Sequence, residues 1–220
     1  VNRSKIGLLC IAAAMLPAML CAQELRVFPP PPPVVSPVQG AIDMHVHSAP
    51  DVFGRSVTDI EAATIAKRNG LRGIVLKNHV TSTADRAAVV REVVPGIEVF
   101  GGIVLNSAVG GVNPAAVEWM SRMSGRYGKL VWLPTIDADN HLKTFHEPGG
   151  GLRVAIDGKV TPETEAVLKI IAREKLVLCT GHVSPAEVIA VSHRAVELGV
   201  NRIVITHAMA QVPNLSMAQM

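Results

Sequence analysis

Cysteine is almost missing from this chain. Three occur in 220 residues, and Cys10 and Cys21 fall in an apolar leader. Once that leader is removed only Cys179 remains, which excludes an internal disulfide framework. Stability must then come from packing or metal. Aromatic residues are scarce at 3%, so the core must be aliphatic. Charge of one sign is lacking as well. The chain is +3 overall, and removing residues 1–22 leaves 19 basic against 18 acidic residues. That gives no electrostatic case for nucleic acid or for an anionic membrane surface. No Gly-x-Gly-x-x-Gly turn follows the first strand, so a dinucleotide-binding sheet has no support.

What is present begins with a secretory signature. Arg3 and Lys5 form a basic region, and Gly7 to Leu20 is an apolar run broken by Pro17. That run is too short to span a bilayer comfortably. Residues 1–22 therefore read as a signal peptide cleaved after Ala22, which places the mature chain in the periplasm or outside the cell. Lipid anchoring at Cys21 is the less favoured alternative, because Leu20 is bulky where a small residue is expected. Residues 23–40 hold five consecutive prolines, Pro29 to Pro33, and form an extended linker. Residues 41–220 are the domain, with no membrane span expected.

From residue 41 the chain repeats an apolar strand, a polar turn and a capped helix. The expected strands are 41–47, 73–79, 97–106, 129–137, 176–182 and 202–207. Thr58-Asp-Ile-Glu61 and Ser184-Pro-Ala-Glu187 are capping boxes, and Asn113-Pro114 opens a helix with proline at its first position. Ser216-Met-Ala-Gln219 announces a further helix. Residues 138–160 interrupt the rhythm, as lids and binding loops do. Near-continuous apolar strands alternating with helices mean an α/β protein with a covered parallel sheet. Either an open doubly wound sheet or a (β/α)8 TIM-type barrel, truncated after its sixth strand, meets that pattern.

The histidines favour the barrel. Asp43-Met44-His45-Val46-His47 ends the first strand, and strand alternation predicts Asp43, His45 and His47 on one face with Ile42, Met44 and Val46 on the other. His79 ends the second strand, His182 the fifth and His207 the sixth. Five of the eight histidines thus fall at four strand ends, which in a barrel meet at one mouth. Two imidazoles two residues apart at a strand end suit a borderline metal such as zinc.

The set Asp43-x-His45-x-His47, Lys77-Asn-His79, Gly181-His182 and Thr206-His207 resembles the amidohydrolase-type metal-dependent hydrolases over residues 41–220. The opening Asp43 to His79 also resembles the polymerase-and-histidinol-phosphatase type. Lys77-Asn-His79, Gly110-Gly-Val-Asn-Pro114 and Trp132-Leu-Pro-Thr-Ile-Asp137 resemble an amidohydrolase-like group of unassigned function. The resemblance implies a (β/α)8 barrel with His45, His47, His182 and His207 as metal ligands. Two departures stand out. The usual bridging lysine or acid after the fourth strand is replaced by Thr135 and Asp137, while the available lysine, Lys77, is on the second. The aspartate expected after an eighth strand lies beyond a chain read here as a fragment lacking about two βα units.

The implied activity is hydrolysis of a small amide, ester, lactone or phosphoester by a metal-bound hydroxide. One or two divalent ions are expected, zinc first, with manganese or iron as alternatives. Asp43 is an acceptor for the N–H of a metal-bound imidazole, fixing its tautomer. Asp137 is an acid/base or ligand, against a loop-capping role. His79 is a ligand, a general base or a substrate contact. Lys77 bridges two metals as a carbamate, stays cationic toward an anionic substrate, which is favoured, or lies against the barrel wall. Arg55 is a substrate-binding candidate for a carboxylate or phosphate, against a solvated surface role. His141 and His146 are assigned to the loop, His193 to helix structure, Cys179 to an inert core, and Trp119 and Trp132 to packing. Metal-assisted decarboxylation and non-catalytic metal or solute binding in the periplasm are the alternatives.

Overall fold

Every expected strand forms, and each is shorter than the apolar run that announced it. A computed structural model describes residues 36–220. The expected signal peptide, Cys21 and linker residues 23–35 lie outside the described residues. Residues 38–220 cluster as one unit. Its strands are β1 (Ile42–His47), β2 (Gly73–Lys77), β3 (Glu98–Val104) and β4 (Gly128–Trp132), followed by β5 (Ala155–Ile156), β6 (Lys159–Val160), β7 (Val177–Cys179) and β8 (Ile203–Val204). Six of them form one parallel sheet in the order β1-β2-β3-β4-β7-β8, curled into a half-barrel. Each strand pairs with the next sheet strand in sequence and the order never reverses. A doubly wound sheet requires such a reversal, so that alternative is set aside.

The helices begin where side chains can satisfy their first backbone N–H groups. Between β1 and β2 runs α1 (Asp59–Arg68), entered through the complete capping box of Thr58 and Glu61. The next helix, α2 (Ala84–Val93), lies between β2 and β3. Asn113 caps α3 (Pro114–Arg122) by accepting from the N–H groups of Ala115 and Ala116. The interruption after β4 folds into α4 (Asp139–Phe145) and the small antiparallel hairpin β5–β6. Thr161 caps α5 (Pro162–Arg173), and the full box of Ser184 and Glu187 starts α6 (Pro185–Glu197). Glu187 does more than cap, since its other carboxylate oxygen accepts the N–H groups of Val154 and Ala155 and ties α6 to the hairpin. The helix expected after Ser216 does not form. Gln219 accepts the Ser216 N–H at 2.8 Å, as half of a box would, but residues 217–219 make only a turn.

Two apolar faces line the sheet. Outward side chains such as Ile74, Leu76 and Val99 pack with Ala62, Ala63 and Ala87 of the first two helices. Leu133, Leu178, Val167, Leu168 and Val191 continue that helix-facing layer. Inward, Val75, Leu130, Trp132 and Cys179 cluster on the curled face, with Ile42, Phe100, Val177 and Val204 partly covered beside them. Close packing of β3 on β4 rests on Gly102, where a Cβ would come within 2.2 Å of the Leu130 carbonyl oxygen.

One departure from simple alternation matters for the site. Asp43 aligns with Ile74 and Val46 with Leu76, so β1 spends one residue more than β2 over that interval. This is a β-bulge, and a bulge shifts which face the following side chains take. Ile42 and Met44 border the same cavity as the inward Val75 and Leu130, while His45 and His47 beyond the bulge also turn inward. The expected shared face for Asp43, His45 and His47 is therefore corrected: Asp43 is exposed, and its carboxylate accepts the backbone N–H of His45 at 3.0 Å.

Candidate functional site

The carboxyl ends of the sheet strands bring the imidazoles together. His45 and His47 sit with Nε2 atoms 3.2 Å apart. Lys77, at the end of β2 opposite His47, is 1% exposed, and its Nζ reaches His45 Nε2 at 3.1 Å. The same ammonium lies 5.5 Å from the Trp132 ring centroid, which partly replaces its lost hydration. His79 stacks on His47 with centroids 4.8 Å apart. His207 lies 4.8 Å from His45 and 5.6 Å from His182. All four expected metal-ligand histidines, together with Lys77 and His79, thus form one continuous group.

Buried hydrogen bonds hold His79 in place. Its Nδ1 is 2.9 Å from Thr135 Oγ1. That oxygen accepts from Asn106 Nδ2 at 2.9 Å, and both Thr135 and Asn106 are fully buried. Among the described residues the Thr135 hydroxyl proton has only His79 Nδ1 to receive it. Satisfying the hydroxyl therefore makes Nδ1 the acceptor and leaves the imidazole proton on Nε2. Asn106 also donates to the His79 carbonyl and accepts the Thr135 N–H. Asp137 accepts the Ser107 N–H at 2.7 Å. Its carboxylate anchors the loop after β3 and lies close enough to His141 to act on that ring electrostatically.

His182 is set by a backbone that only glycine accepts easily. Gly181 has φ of +66°, and a Cβ there would meet the Leu133 carbonyl oxygen at 2.3 Å. The His182 N–H donates to the Pro134 carbonyl, and its carbonyl accepts from Asn140 of α4. His141, assigned to the loop from sequence, belongs instead to the site. Its Nδ1 is 2.9 Å from His182 Nδ1, and the two rings stack at 5.0 Å. The helix α4 thus lays one face over the end of β7.

Arg55 faces the same group from the loop after β1. Its Nε donates to Asp51 at 2.8 Å, and Phe53 beside it meets His79 edge-on at 5.8 Å. The Asp51 side chain is fully covered. Burial alone would raise its pKa, but the Arg55 hydrogen bond and the backbone N–H groups of Phe53 and Val52 hold it below the usual carboxylate value. Sequence reasoning missed Asp51, Asn106 and His141. Asp51 stands four residues before Arg55, and Asn106 is the one polar residue ending the run Ile103–Leu105. His141 had no comparable signal, because it arrives through an insertion.

Burial and neighbouring positive charge keep these imidazoles neutral. His45 is lowered to about 3, His47 to about 4, His79 to about 3 and His182 to about 3, in each case first by desolvation and next by Lys77. His207 is lowered for the same two reasons. Desolvation brings Lys77 down to about 8. A neutral imidazole offers a lone pair, the form in which histidine binds metal. Tetrahedral zinc with nitrogens at about 2.0–2.1 Å sets neighbouring ligand nitrogens roughly 3.3–3.4 Å apart. The His45–His47 pair, at 3.2 Å, matches such an edge. Among the described residues His47 Nδ1 is buried without a partner, so that nitrogen is open to a donor or an ion. The donor chemistry fits a divalent ion, but only one edge is preformed. Among the described residues no three His, Cys, Asp or Glu side chains are already grouped to hold an ion, and Lys77 occupies the lone pair of His45.

Residues 40–220 match the model of a family of unknown function, DUF6282, and the chain belongs to that family. No curated protein matches the chain.

Proposed function

We propose that the chain is a metal-dependent hydrolase of a small amide, ester, lactone or phosphoester, with His45, His47, His182 and His207 as the ligand set. One observation carries the reading: neutral imidazoles from the ends of β1, β7 and β8 converge beside a buried lysine. A bound divalent ion, zinc first and manganese or iron next, would supply Lewis acidity and a water acidified toward neutrality. Lys77 donates to His45 Nε2; an ion taking that lone pair would displace this bond and leave the ammonium beside the histidines, which suits an anionic group on the substrate. Arg55, held by Asp51, offers its remaining guanidinium N–H groups to the same group. His79, a neutral imidazole with its proton on Nε2, donates a hydrogen bond that polarises a carbonyl or leaving-group oxygen without giving up the proton. Asp137 acts by ordering the loop at Ser107. The two cations also favour a second reading, metal-assisted decarboxylation of a carboxylate substrate at the same residues.

The sequential parallel order and curl of the sheet support a (β/α)8 barrel of which six strands are described. The basic and apolar pattern of residues 1–22 supports a periplasmic or secreted location. Among the described residues no helix is long and apolar enough to cross a membrane.

Elemental analysis of the purified protein tests the reading. One or two equivalents of zinc, manganese or iron, lost in a folded His45→Ala/His47→Ala variant, are expected, followed by turnover in an ester, amide and phosphoester screen. Folded protein that takes up none of these ions after incubation overturns it.

A further inference from the structure

His182 is hydrogen-bonded to a ring that the proposed ligand set does not use. Its strand, β7, lies between β4 and β8 in the sheet, so it has a neighbour on both sides. His141 reaches it from α4, of which it is the third residue. Phe145 stands one turn further along the same helix face and packs on the His141 ring with centroids 4.6 Å apart. Asn140, the residue before His141, donates to the His182 carbonyl at 3.1 Å. These two contacts hold the His141 ring over the end of β7. The planes of the His141 and His182 rings are 20° apart, and their Nδ1 atoms meet at 2.9 Å.

Two neutral imidazoles in that contact share one proton, and its place decides what else His182 can do. If His141 donates, the proton of His182 sits on Nε2. If His141 accepts, His182 carries its proton on Nδ1 and Nε2 keeps a lone pair. The surrounding charges choose between these. Glu147 Oε1 lies 3.9 Å from His141 Nε2, too far for a hydrogen bond but near enough to favour an N–H on that nitrogen. Asp137 adds negative charge beside the same ring. For His182 the leading charged neighbour is the cationic Lys77, which favours a lone pair over an N–H. Both rings therefore settle on one arrangement. We propose that His141 is a positioning residue: its Nδ1 accepts the Nδ1–H of His182 and keeps the Nε2 lone pair of His182 open as a ligand. A partner that fixes the tautomer of a ligating histidine supports its metal affinity by about 10–100-fold. The tautomer stands on these residues alone, and only its use as a ligand rests on the hydrolase reading.

Nitrogen-15 shifts of the imidazoles read the tautomer directly. The full chain, labelled at histidine and treated with chelator, is measured near neutral pH, and a His182→Gln chain assigns the His182 signals. Wild-type His182 is expected in the Nδ1–H form. His141→Phe keeps a ring against Phe145 but removes the acceptor, so His182 moves to the Nε2–H form. His141→Asn loses the ring but places an acceptor oxygen near the former Nδ1, so His182 stays in the Nδ1–H form. A role in packing alone predicts the opposite ranking of the two variants. If circular dichroism shows His141→Phe unfolded, His141→Ala takes its place with the same expected shift. Zinc affinity, measured by competition with a chelator, should fall about 10–100-fold in the Phe variant and be largely rescued by Asn. His182 in the Nε2–H form in the wild type, or the Nδ1–H form retained in folded His141→Phe, overturns the proposal. So does cadmium-113 coupling to a His141 nitrogen in the cadmium-loaded chain, which would make that ring a ligand itself. A wild-type chain with the expected tautomers that takes up no zinc, manganese or iron supports the proposal and overturns the hydrolase reading alone.

Discussion

Lys77 shows how a single side chain can cost stability and organise a site. It is 1% exposed and has no carboxylate partner among the described ion pairs, only the lone pair of His45 and the face of Trp132. Replacing a buried ionic group by an apolar one of similar volume is often neutral or stabilising by about 1–4 kcal/mol. Lys77→Met is therefore expected to raise stability within that range, measured by urea unfolding, while abolishing turnover. A marked loss of stability would mean that the Lys77–His45 contact outweighs its desolvation. Asn106 behaves oppositely. It makes hydrogen bonds to His79, Thr135 and Asp137, and Asn106→Ala would leave several buried groups unpaired. A cost of about 2–3 kcal/mol is expected, together with loss of the His79 Nε2–H tautomer, which nitrogen-15 shifts of the ring would report.

Among the elements, α6 carries the widest consequences. Its entry box can be cut in two ways. Ser184→Ala removes the acceptor for the Glu187 N–H and is expected to cost about 1 kcal/mol. Glu187→Ala removes the other half of the box and also strands the N–H groups of Val154 and Ala155. A loss of about 2–4 kcal/mol follows if those donors find no water. Equal effects of the two substitutions in parallel denaturation curves would show that the hairpin contact contributes nothing. The insertion after β4 depends on that contact, and it delivers His141 to His182. A hairpin released by Glu187→Ala should therefore loosen α4 as well, read as faster amide exchange over residues 139–145.

For the whole molecule, the depressed histidines set the response to acid. Free imidazole titrates near 6.5, whereas His45, His47, His79 and His182 stay neutral to about 3 or 4 in the folded chain. Between those values the unfolded chain binds more protons, so stability must fall as pH drops from about 6.5 toward 4. Lys77 acts in another window. Its pKa is lowered from 10.5 to about 8, so the unfolded chain again binds more protons between these values, and stability rises with pH there. Thermal melts across pH 4–10 check both signs. His79→Asn should flatten the acid limb, and Lys77→Met should flatten the alkaline one. A divalent ion bound only by the folded chain would raise the melting temperature with its concentration, and would do so least below pH 4, where protons compete for the imidazoles.

Much of this architecture is local in origin and was legible along the chain. Capping boxes at Thr58 and Ser184, proline after Asn113, and apolar runs ending in histidine need only neighbouring residues to act, so the order of strands and helices follows from them. The convergence of His45, His79, His182 and His207 was also foreseeable, because parallel strands wound in one direction gather their carboxyl ends. What the sequence could not decide depends on contacts between distant segments. The β1 bulge, where β1 spends one residue more than β2, leaves Asp43 off the histidine face. His141 joins His182 because the insertion after β4 folds back until Asn140 donates to the His182 carbonyl, while Glu187 ties the hairpin of that insertion to α6. Thr135 assigns the His79 proton only because Asn106 already occupies its other side. Each is a choice made by packing and by the need to satisfy buried polar groups, which exist only once the sheet has curled.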